Sequence, residues 1–233
     1  MKWVLRAPVI VAVCLAAGGA AARTPVVVEL FTAQGCVSCE SSNLFAAGLA
    51  DRSGVTLLTF NVDYWDYLGW KDTFALPEFT ERQRAYDKRF GLQDVYTPQF
   101  VVDGQAQASG DKQPEVEALI RTARHATPAY GPQITPRADG TVAVESSTTR
   151  RPADVWLVRF DPHSQSVQVK EGDNRGQTVS GRNVVRQLVN LGVWNGQRRI
   201  FHLPVAPEEG LTTLVLIQSQ NGGHILEALK IKG

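Results

Sequence analysis

Two cysteines separated by two residues, Cys36 and Cys39, constrain this chain more than any other feature. They follow the apolar, β-branched run Val26–Phe31 and a short turn that contains Gly35, and the residues after them have helical character. A Cys-x-x-Cys pair between a strand and a helix is a signature of a redox site. Unpaired backbone N–H groups and the helix dipole favour a thiolate at the first cysteine, and the thiolate is the reactive form. The pattern therefore predicts that Cys36 attacks and Cys39 resolves.

The first 22 residues are typical of a cleaved signal peptide. A basic start precedes the apolar run Val9–Ala17, and small residues follow it up to Ala22. Cys14 lies within this run, so cleavage would remove the third cysteine of the chain. An uncleaved anchor is the alternative, although the run is shorter than the roughly 20 residues that a membrane span needs. We therefore expect a secreted or periplasmic protein, in a compartment where a cysteine pair is either a structural bridge or a working redox couple.

The pattern over residues 23–127 predicts an α/β domain with the order β-α-β-α-β-β-α. Strands are expected at 26–31 and 55–62, within 95–105, where the strand is entered through Pro98, and at 105–109. Helices are expected at 40–50, 76–90 and 114–126. The Asp103-Gly104 pair predicts a tight hairpin between the last two strands. Within the first of these helices, Leu44, Phe45, Gly48 and Leu49 fall on one face at helical spacing.

Beyond residue 127 the sequence pattern changes to short β-rich segments, which predict an antiparallel domain over residues 128–233. Strands are expected at 141–145, 154–160, 166–170, 200–205 and 211–219. The segment Asn183–Leu191 is expected to be a short helix, because Val184, Val185 and Leu188 have helical spacing.

The charge pattern argues against two classes of partner. The formal net charge is +1, and no block of like charge occurs, so neither nucleic acid nor a membrane surface is an expected partner. Five arginines form a modest basic concentration around residues 172–176. They are Arg175, Arg182, Arg186, Arg198 and Arg199. They could bind an acidic partner; pairing with acids such as Glu171 and Asp173, or exposure to solvent, is the alternative.

Several motifs together resemble a family of secreted bacterial proteins that is catalogued as a domain of unknown function, number 1223. The motifs are Val28–Cys39, Asn61–Asp66, Tyr96–Gln99 and Gly172–Gly176 followed by Arg182–Val185. The first half also resembles the thioredoxin superfamily, which implies a thioredoxin-like domain over residues 23–127. This chain departs from classical thioredoxins, which carry tryptophan where it has Gly35, and its cysteines enclose the dipeptide Val37-Ser38. The redox potential of classical thioredoxins therefore cannot be assigned to this chain.

The same resemblance implies roles for Thr97 and Pro98. In the superfamily the matching proline is cis, faces the disulfide and, with the residue before it, offers backbone to an extended client. An X-Pro bond is cis in only about 5 to 6 per cent of folded cases, so the sequence alone would predict a trans Pro98. A proline that simply begins a strand is the alternative.

Glu29 is the one charged residue in the first apolar strand, and the resemblance matches it to the buried acid of thioredoxins. We hypothesise that Glu29 is a proton shuttle for Cys39, because a buried carboxylate without a cation tends to stay protonated. A carboxylate at the strand end that reaches solvent is the alternative.

Five aromatic residues follow the second predicted strand within eleven positions. They are Tyr64, Trp65, Tyr67, Trp70 and Phe74. Loops at the carboxyl ends of parallel strands flank such sites, so Tyr64, Trp65 and Trp70 are candidates for a partner-binding lid. Packing of the rings into the core is the alternative, and burial of all five would disprove the lid.

The sequence therefore predicts an exported thiol-disulfide exchange protein that acts on protein or small-molecule thiols and disulfides without a cofactor. A non-enzymatic interaction module stapled by a Cys36–Cys39 bridge is the first alternative. A thiolate metal-binding protein is the second. It is disfavoured because the only methionine is Met1 and the four histidines, His125, His163, His202 and His224, are scattered, so no metal ligand is predicted.

Overall fold

The computed structural model describes residues 24–126, 131–148 and 151–231. The predicted signal peptide with Cys14, and the predicted domain boundary at 127 and 128, lie outside these ranges. The strands of the described chain are β1 (Val26–Thr32), β2 (Val55–Asn61), β3 (Gln99–Val102), β4 (Ala106–Ser109), β5 (Ile134–Pro136), β6 (Thr141–Val144), β7 (Ala153–Gln168), β8 (Thr178–Trp194), β9 (Arg199–His202), β10 (Thr212–Ser219) and β11 (Ile225–Ile231). The α-helices are α1 (Glu40–Ala50), α2 (Pro77–Phe90) and α3 (Gln113–His125).

One large sheet runs through both halves of the chain, in the order β11-β10-β7-β8-β2-β1-β3-β4. β1 and β2 are parallel, with Val26 opposite Val55. β2 is also parallel to β8, through Thr59 and Val184, and the remaining neighbours are antiparallel. The fold is therefore mixed α/β with a large, mostly antiparallel sheet, and the pairing of β2 with β8 joins the two halves.

Successive side chains of a strand point to opposite faces of the sheet, and β1 follows this rule. On one face Val27 and Phe31 pack with Phe79 and Tyr86 of α2. On the other face Val26, Val28 and Leu30 pack with residues of α1 and α3, such as Ala46, Leu49, Val116 and Ile120. The sheet thus lies between α2 on one side and the pair α1 and α3 on the other.

The order of strands and helices from β1 to α3 is the predicted one. Of the four residues that share one face of α1, Leu49 is buried and Phe45 is half-buried, whereas Leu44 is 61% exposed and Gly48 is also exposed. Ser42, Asn43 and Ala46 face inward as well. Thr32 at the end of β1 donates its hydroxyl to Asn43 Oδ1 over 2.9 Å, which satisfies this buried amide oxygen.

The predicted helix Asn183–Leu191 is also wrong, because these residues lie inside strand β8. The pairing with β7 shifts register between Arg159 and Phe160, where Arg186 is the extra residue of a bulge. A bulge changes the alternation by one residue, so buried side chains acquire a spacing that resembles a helix. Val184, Val185 and Leu188 are nevertheless buried, as expected.

The antiparallel character predicted for residues 128–233 is observed, but the strands are shared between two sheets. β7, β8, β10 and β11 extend the large sheet. β5, β6 and β9 form a separate sheet of three strands, and Val142 and Phe201 from it pack against Trp194 and Val215 of the large sheet. The second half is therefore a small sandwich built onto the continuous sheet.

Candidate functional site

Cys36 and Cys39 form a disulfide where β1 ends and the first helical turn begins. The S–S distance is 2.05 Å, and a single 3-10 turn over Val37–Cys39 leads directly into α1. Cys36 is 1% exposed and Cys39 is 0% exposed, whereas Val37 between them is 63% exposed. The bridge is thus covered, although the residues inside its loop face solvent.

Trp65 lies beside Gly35, the residue before Cys36, and reaches the loop before β3. A Cβ atom on Gly35 would lie 3.6 Å from Trp65 Cβ. The indole Nε1–H of Trp65 donates to Thr97 Oγ1 over 2.8 Å, and the Thr97–Pro98 peptide bond is cis, as the resemblance implied. Trp65 and Tyr64 both pack against the apolar cluster that contains the two cysteines. Trp65 therefore contacts the loops on both sides of the site.

None of the five aromatic residues of 64–74 is fully buried, so the observation that would have disproved the lid is absent. Tyr67 is 80% exposed, while Tyr64, Trp65, Trp70 and Phe74 are half-buried. The segment lies against the residues before Cys36, with Trp65 beside Gly35 and Trp70 bonded to Gln34. Binding of a partner by this segment stays a prediction.

Gln34 is the centre of a hydrogen-bond network directly before the disulfide. Its side-chain Oε1 accepts from Trp70 Nε1 over 2.9 Å and from the backbone N–H of Thr73 over 3.2 Å. Its Nε2 donates to Thr73 Oγ1 over 2.9 Å. Its backbone N–H donates to Asp72 Oδ2 over 2.6 Å, and its carbonyl accepts from Asn174 Nδ2 over 2.8 Å. Every polar group of this buried residue is satisfied, which fixes the loop that carries Cys36.

Asp72 is the carboxylate of this network, and it is 3% exposed. Asp72 Oδ2 accepts from Asn61 Nδ2 over 2.9 Å as well as from Gln34, and Oδ1 accepts from the backbone N–H of Phe74 over 2.9 Å. Burial raises the pKa of Asp72, while the hydrogen bonds from Asn61, Gln34 and Phe74 act in the opposite direction. Neutral donors thus stabilise this buried charge.

The Gly-Asp-Asn-Arg-Gly motif of the second half packs on the same network. Asn174 is buried and donates to the Gln34 carbonyl. Gly172 has a φ of +71°, and a Cβ at this position would lie 3.1 Å from the carbonyl oxygen of Leu68. The motif is therefore in contact with the loop of Cys36 and with the aromatic segment, and its glycine permits the close approach.

Glu29 is fully buried and belongs to a different network. Arg82 of α2 donates through Nε to Glu29 Oε1 over 2.6 Å, and the hydroxyl of Tyr86 donates to Glu29 Oε2. Gln218 of β10 donates to the same hydroxyl over 2.9 Å. The Arg82 guanidinium also lies 5.5 Å from the ring centroid of Trp156 in β7. Burial opposes the charge of Arg82, but Glu29 and Tyr86 hold the pKa of this guanidinium above its usual value.

The premise of the shuttle hypothesis for Glu29 is therefore wrong, because this carboxylate has a cation. Arg82 and Tyr86 are four residues apart, so they share one face of α2 and reach the strand together. That spacing, beside the apolar Phe79, is the sequence signal that could have revealed the pair. No comparable signal marks Gln34, Asp72 or Asn174, because their contacts join segments that are distant in the chain.

The arginines of the second half are mostly engaged within the protein. Arg182 pairs with Asp51 at 2.9 Å, Arg186 with Glu208 at 3.4 Å and Arg198 with Glu145 at 3.2 Å. The guanidinium of Arg199 lies 5.1 Å from the ring centroid of Phe201. Pairing with acids, the alternative stated for these residues, is what the structure shows for three of them, although the acids are not the ones expected.

Two further features concern metals and membranes. Among the described residues, no group of three or more His, Cys, Asp or Glu side chains is placed to hold a metal ion. The described part of the chain also contains no helix that is long and apolar enough to cross a membrane.

Comparison with known proteins identifies a family. The model of the family described as "Protein of unknown function (DUF1223)" matches residues 27–218, and the chain belongs to this family. The crystal structure of protein AGR_C_4864 from Agrobacterium tumefaciens is similar, with a TM-score of 0.74 and 28% identity over 91% of this chain and 96% of that one. HBP35 of Porphyromonas gingivalis has a TM-score of 0.53 and 15% identity over 89% of this chain and 74% of that one, which shows a similar fold alone. No match to a curated protein was found.

Proposed function

We propose that this member of the DUF1223 family is an exported thiol-disulfide exchange protein whose first half is thioredoxin-like. The observation that carries the proposal is the Cys36–Cys39 disulfide at the junction of β1 and a helical turn. The sheet order β2-β1-β3-β4, with α2 on one face and α1 and α3 on the other, supports the thioredoxin-like part of the proposal.

In the reducing direction, the Cys36 thiolate attacks one sulfur of a substrate disulfide. A mixed disulfide forms, and the other substrate sulfur leaves as a thiolate that takes up a proton. The Cys39 thiolate then attacks Cys36 Sγ, which restores the bridge and releases the second substrate thiolate. Two electrons pass to the substrate, and the reverse sequence oxidises a dithiol. Cys36 lies at the N-cap of the helical turn, where backbone N–H groups and the helix dipole favour its thiolate.

Thr97 and Pro98 keep the role that the resemblance implies, which is to offer backbone to an extended segment of a client. Glu29 has a structural role in this proposal, because Arg82 and Tyr86 already occupy both of its oxygens. The conservative Glu29→Gln variant separates the two roles. A proton shuttle predicts slower disulfide reduction near neutral pH, whereas a structural role predicts lower stability and an unchanged rate in protein that remains folded.

Trapping of a mixed disulfide tests the function. Cys39→Ser removes the resolving thiol, so this variant is expected to accumulate a covalent complex with insulin chains that dithiothreitol dissociates. Wild-type protein is expected to accelerate insulin reduction, and Cys36→Ser is expected to do neither. The absence of both turnover and trapping would contradict exchange activity.

A stapled interaction module is the second candidate, and the observation that favours it is the burial of both cysteines. In that case the bridge would persist without turnover, and Cys36→Ser would reduce stability but no activity. Export is tested separately by the intact mass of protein recovered from outside the cytoplasm. Loss of residues 1–22 is expected, and a retained Met1 would contradict it.

A further inference from the structure

The disulfide is buried, so thiol-disulfide exchange requires part of the surrounding structure to move. A thiolate must approach the sulfur that it attacks, yet Cys36 is 1% exposed. Both cysteines belong to an apolar cluster of the sheet core, and Trp65 packs against this cluster. Trp65 is only half-buried, lies against Gly35, the residue before Cys36, and is hydrogen bonded to Thr97. It is therefore the neighbour of the site that can move without opening the core.

The Trp65 side chain is held by a hydrogen bond to Thr97 and by packing. Its Nε1–H donates to Thr97 Oγ1 over 2.8 Å, and its Cβ lies 3.6 Å from the position that a Gly35 Cβ would take. A side chain larger than glycine at position 35 would be in direct contact with this tryptophan. Trp65 thus lies against the residue before Cys36 through its Cβ and is bonded to the residue before Pro98 through its indole.

Side chains on both sides of Trp65 along the chain are hydrogen bonded to other parts of the protein. On one side Thr80 Oγ1 donates to Asp63 Oδ1 over 2.6 Å. On the other side Trp70 Nε1 donates to Gln34 Oε1 over 2.9 Å, within the network that also contains Asp72. Opening at Trp65 would therefore be local, because its flanking residues are fixed to α2 and to the loop of Cys36.

We propose that the Trp65 indole is a gate over the Cys36–Cys39 bridge, latched by its hydrogen bond to Thr97, and that the gate must open before a thiol reaches Cys36. This inference rests on the proposed exchange function for its biological meaning. The physical claim concerns access alone and holds for any thiol reagent.

Reduction by dithiothreitol measures this access. One dithiothreitol thiolate attacks Cys36 Sγ, the Cys36–Cys39 bond breaks, and Cys39 leaves as a thiolate that takes up a proton. The second dithiothreitol thiol then closes its six-membered ring and releases Cys36, so two electrons pass from the reagent to the protein. The oxidised mature chain is mixed with excess dithiothreitol, quenched with an alkylating agent and analysed by mass.

Trp65→Phe keeps an aromatic ring and removes the latch, so we expect reduction to become about 2- to 12-fold faster, the range set by one net hydrogen bond. Thr97→Val removes the acceptor and is expected to have a similar effect. The double variant should be no faster than the single ones, because both remove the same bond. Trp65→Ala also removes the ring and should be faster still. Tyr67→Ala, in the same loop but 80% exposed, is the matched control and should match wild type.

Urea separates a gate from general destabilisation. Local opening exposes little surface, so the reduction rate of the wild type should change little below the unfolding transition. Equal rates for wild type, Trp65→Phe and Thr97→Val, or rates that rise with urea as steeply as global unfolding does, would overturn the gate. Its failure is distinct from failure of exchange activity, since dithiothreitol reduces the bridge whether or not insulin is turned over or trapped.

Discussion

Two polar networks join the halves of the protein, and they differ in the groups that surround the buried carboxylate. The first lies on the α2 side of the sheet and contains the buried ion pair of Glu29 and Arg82, with Gln218 as its contribution from the second half. The second surrounds Gln34 and contains neutral donors around Asp72, with Asn174 as its contribution from the second half. Both networks thus end on an amide from the second half, but only the first has a buried cation.

The first network is therefore a rigid tie between the halves, whereas the second is a tie that can adjust. Breaking a buried ion pair leaves an uncompensated charge, so the first network stays intact while the protein is folded. The second network has no cation, so its contacts are separate hydrogen bonds, worth about 0.5 to 1.5 kcal/mol net between neutral groups and about 1.5 to 3 kcal/mol to the Asp72 carboxylate. The second network also lies beside the disulfide and the loop of Trp65. The site thus lies beside the tie that can adjust locally.

The largest expected effect comes from breaking the ion pair. Arg82→Met should lower the free energy of unfolding by about 3 to 5 kcal/mol, because Glu29 loses its cation while it stays buried. Urea unfolding measures this change. The double variant Glu29→Gln/Arg82→Met should recover part of the loss, since neither charge remains. A loss below about 1 kcal/mol in the single variant would show that the pair is not the rigid tie.

A smaller effect is expected from the second network. Asn174→Ala leaves the buried carbonyl of Gln34 without its partner, which should cost about 1 to 3 kcal/mol. Disulfide reduction should also become faster, because the loop of Cys36 loosens. Asp173→Ala, one residue away, is the control. If Asn174→Ala lowered stability without changing the reduction rate, the network would not control the loop.

The contrast between the networks also explains what the sequence could predict. The strand and helix order of residues 26–125 follows from apolar periodicity, the proline near the start of α2 and the Asp103-Gly104 turn, all of which are local signals. The strand β8 was missed because its bulge at Arg186 gives Val185 and Leu188 a helical spacing. Gln34 lies 38 positions from Asp72 and 140 positions from Asn174 in the sequence, so these residues meet only in the folded chain. No local sequence pattern therefore predicts their contacts.

A further contact between the halves, at Asp103, is expected to have the smallest effect. Asp103 Oδ1 accepts from the backbone N–H of Val27 over 2.7 Å, and the carbonyl of Asp103 accepts from Ile225 over 2.9 Å. Burial raises the pKa of Asp103 from 3.8 to about 6. The folded state therefore favours the protonated form, and stability should fall as the pH rises from 3.8 to about 6.

Asp103→Asn isolates this contribution, because asparagine keeps an acceptor oxygen and tolerates the φ of +48° at this position. The difference in free energy of unfolding between variant and wild type should grow by on the order of 1 kcal/mol over that pH interval, in favour of the variant. Unfolding in urea at a series of pH values measures it. A difference that is independent of pH would show that Asp103 does not titrate in this range.

The most direct test of the central claim is the reduction potential of the Cys36–Cys39 pair in the mature protein, equilibrated in glutathione and dithiothreitol buffers. An exchange protein predicts a potential between roughly −270 and −120 mV, and its position in that range gives the direction of electron flow. Trp65→Phe should reach equilibrium sooner if opening of the indole limits the approach to it. A potential below roughly −300 mV, together with no insulin turnover, would contradict exchange and identify the bridge as a structural staple.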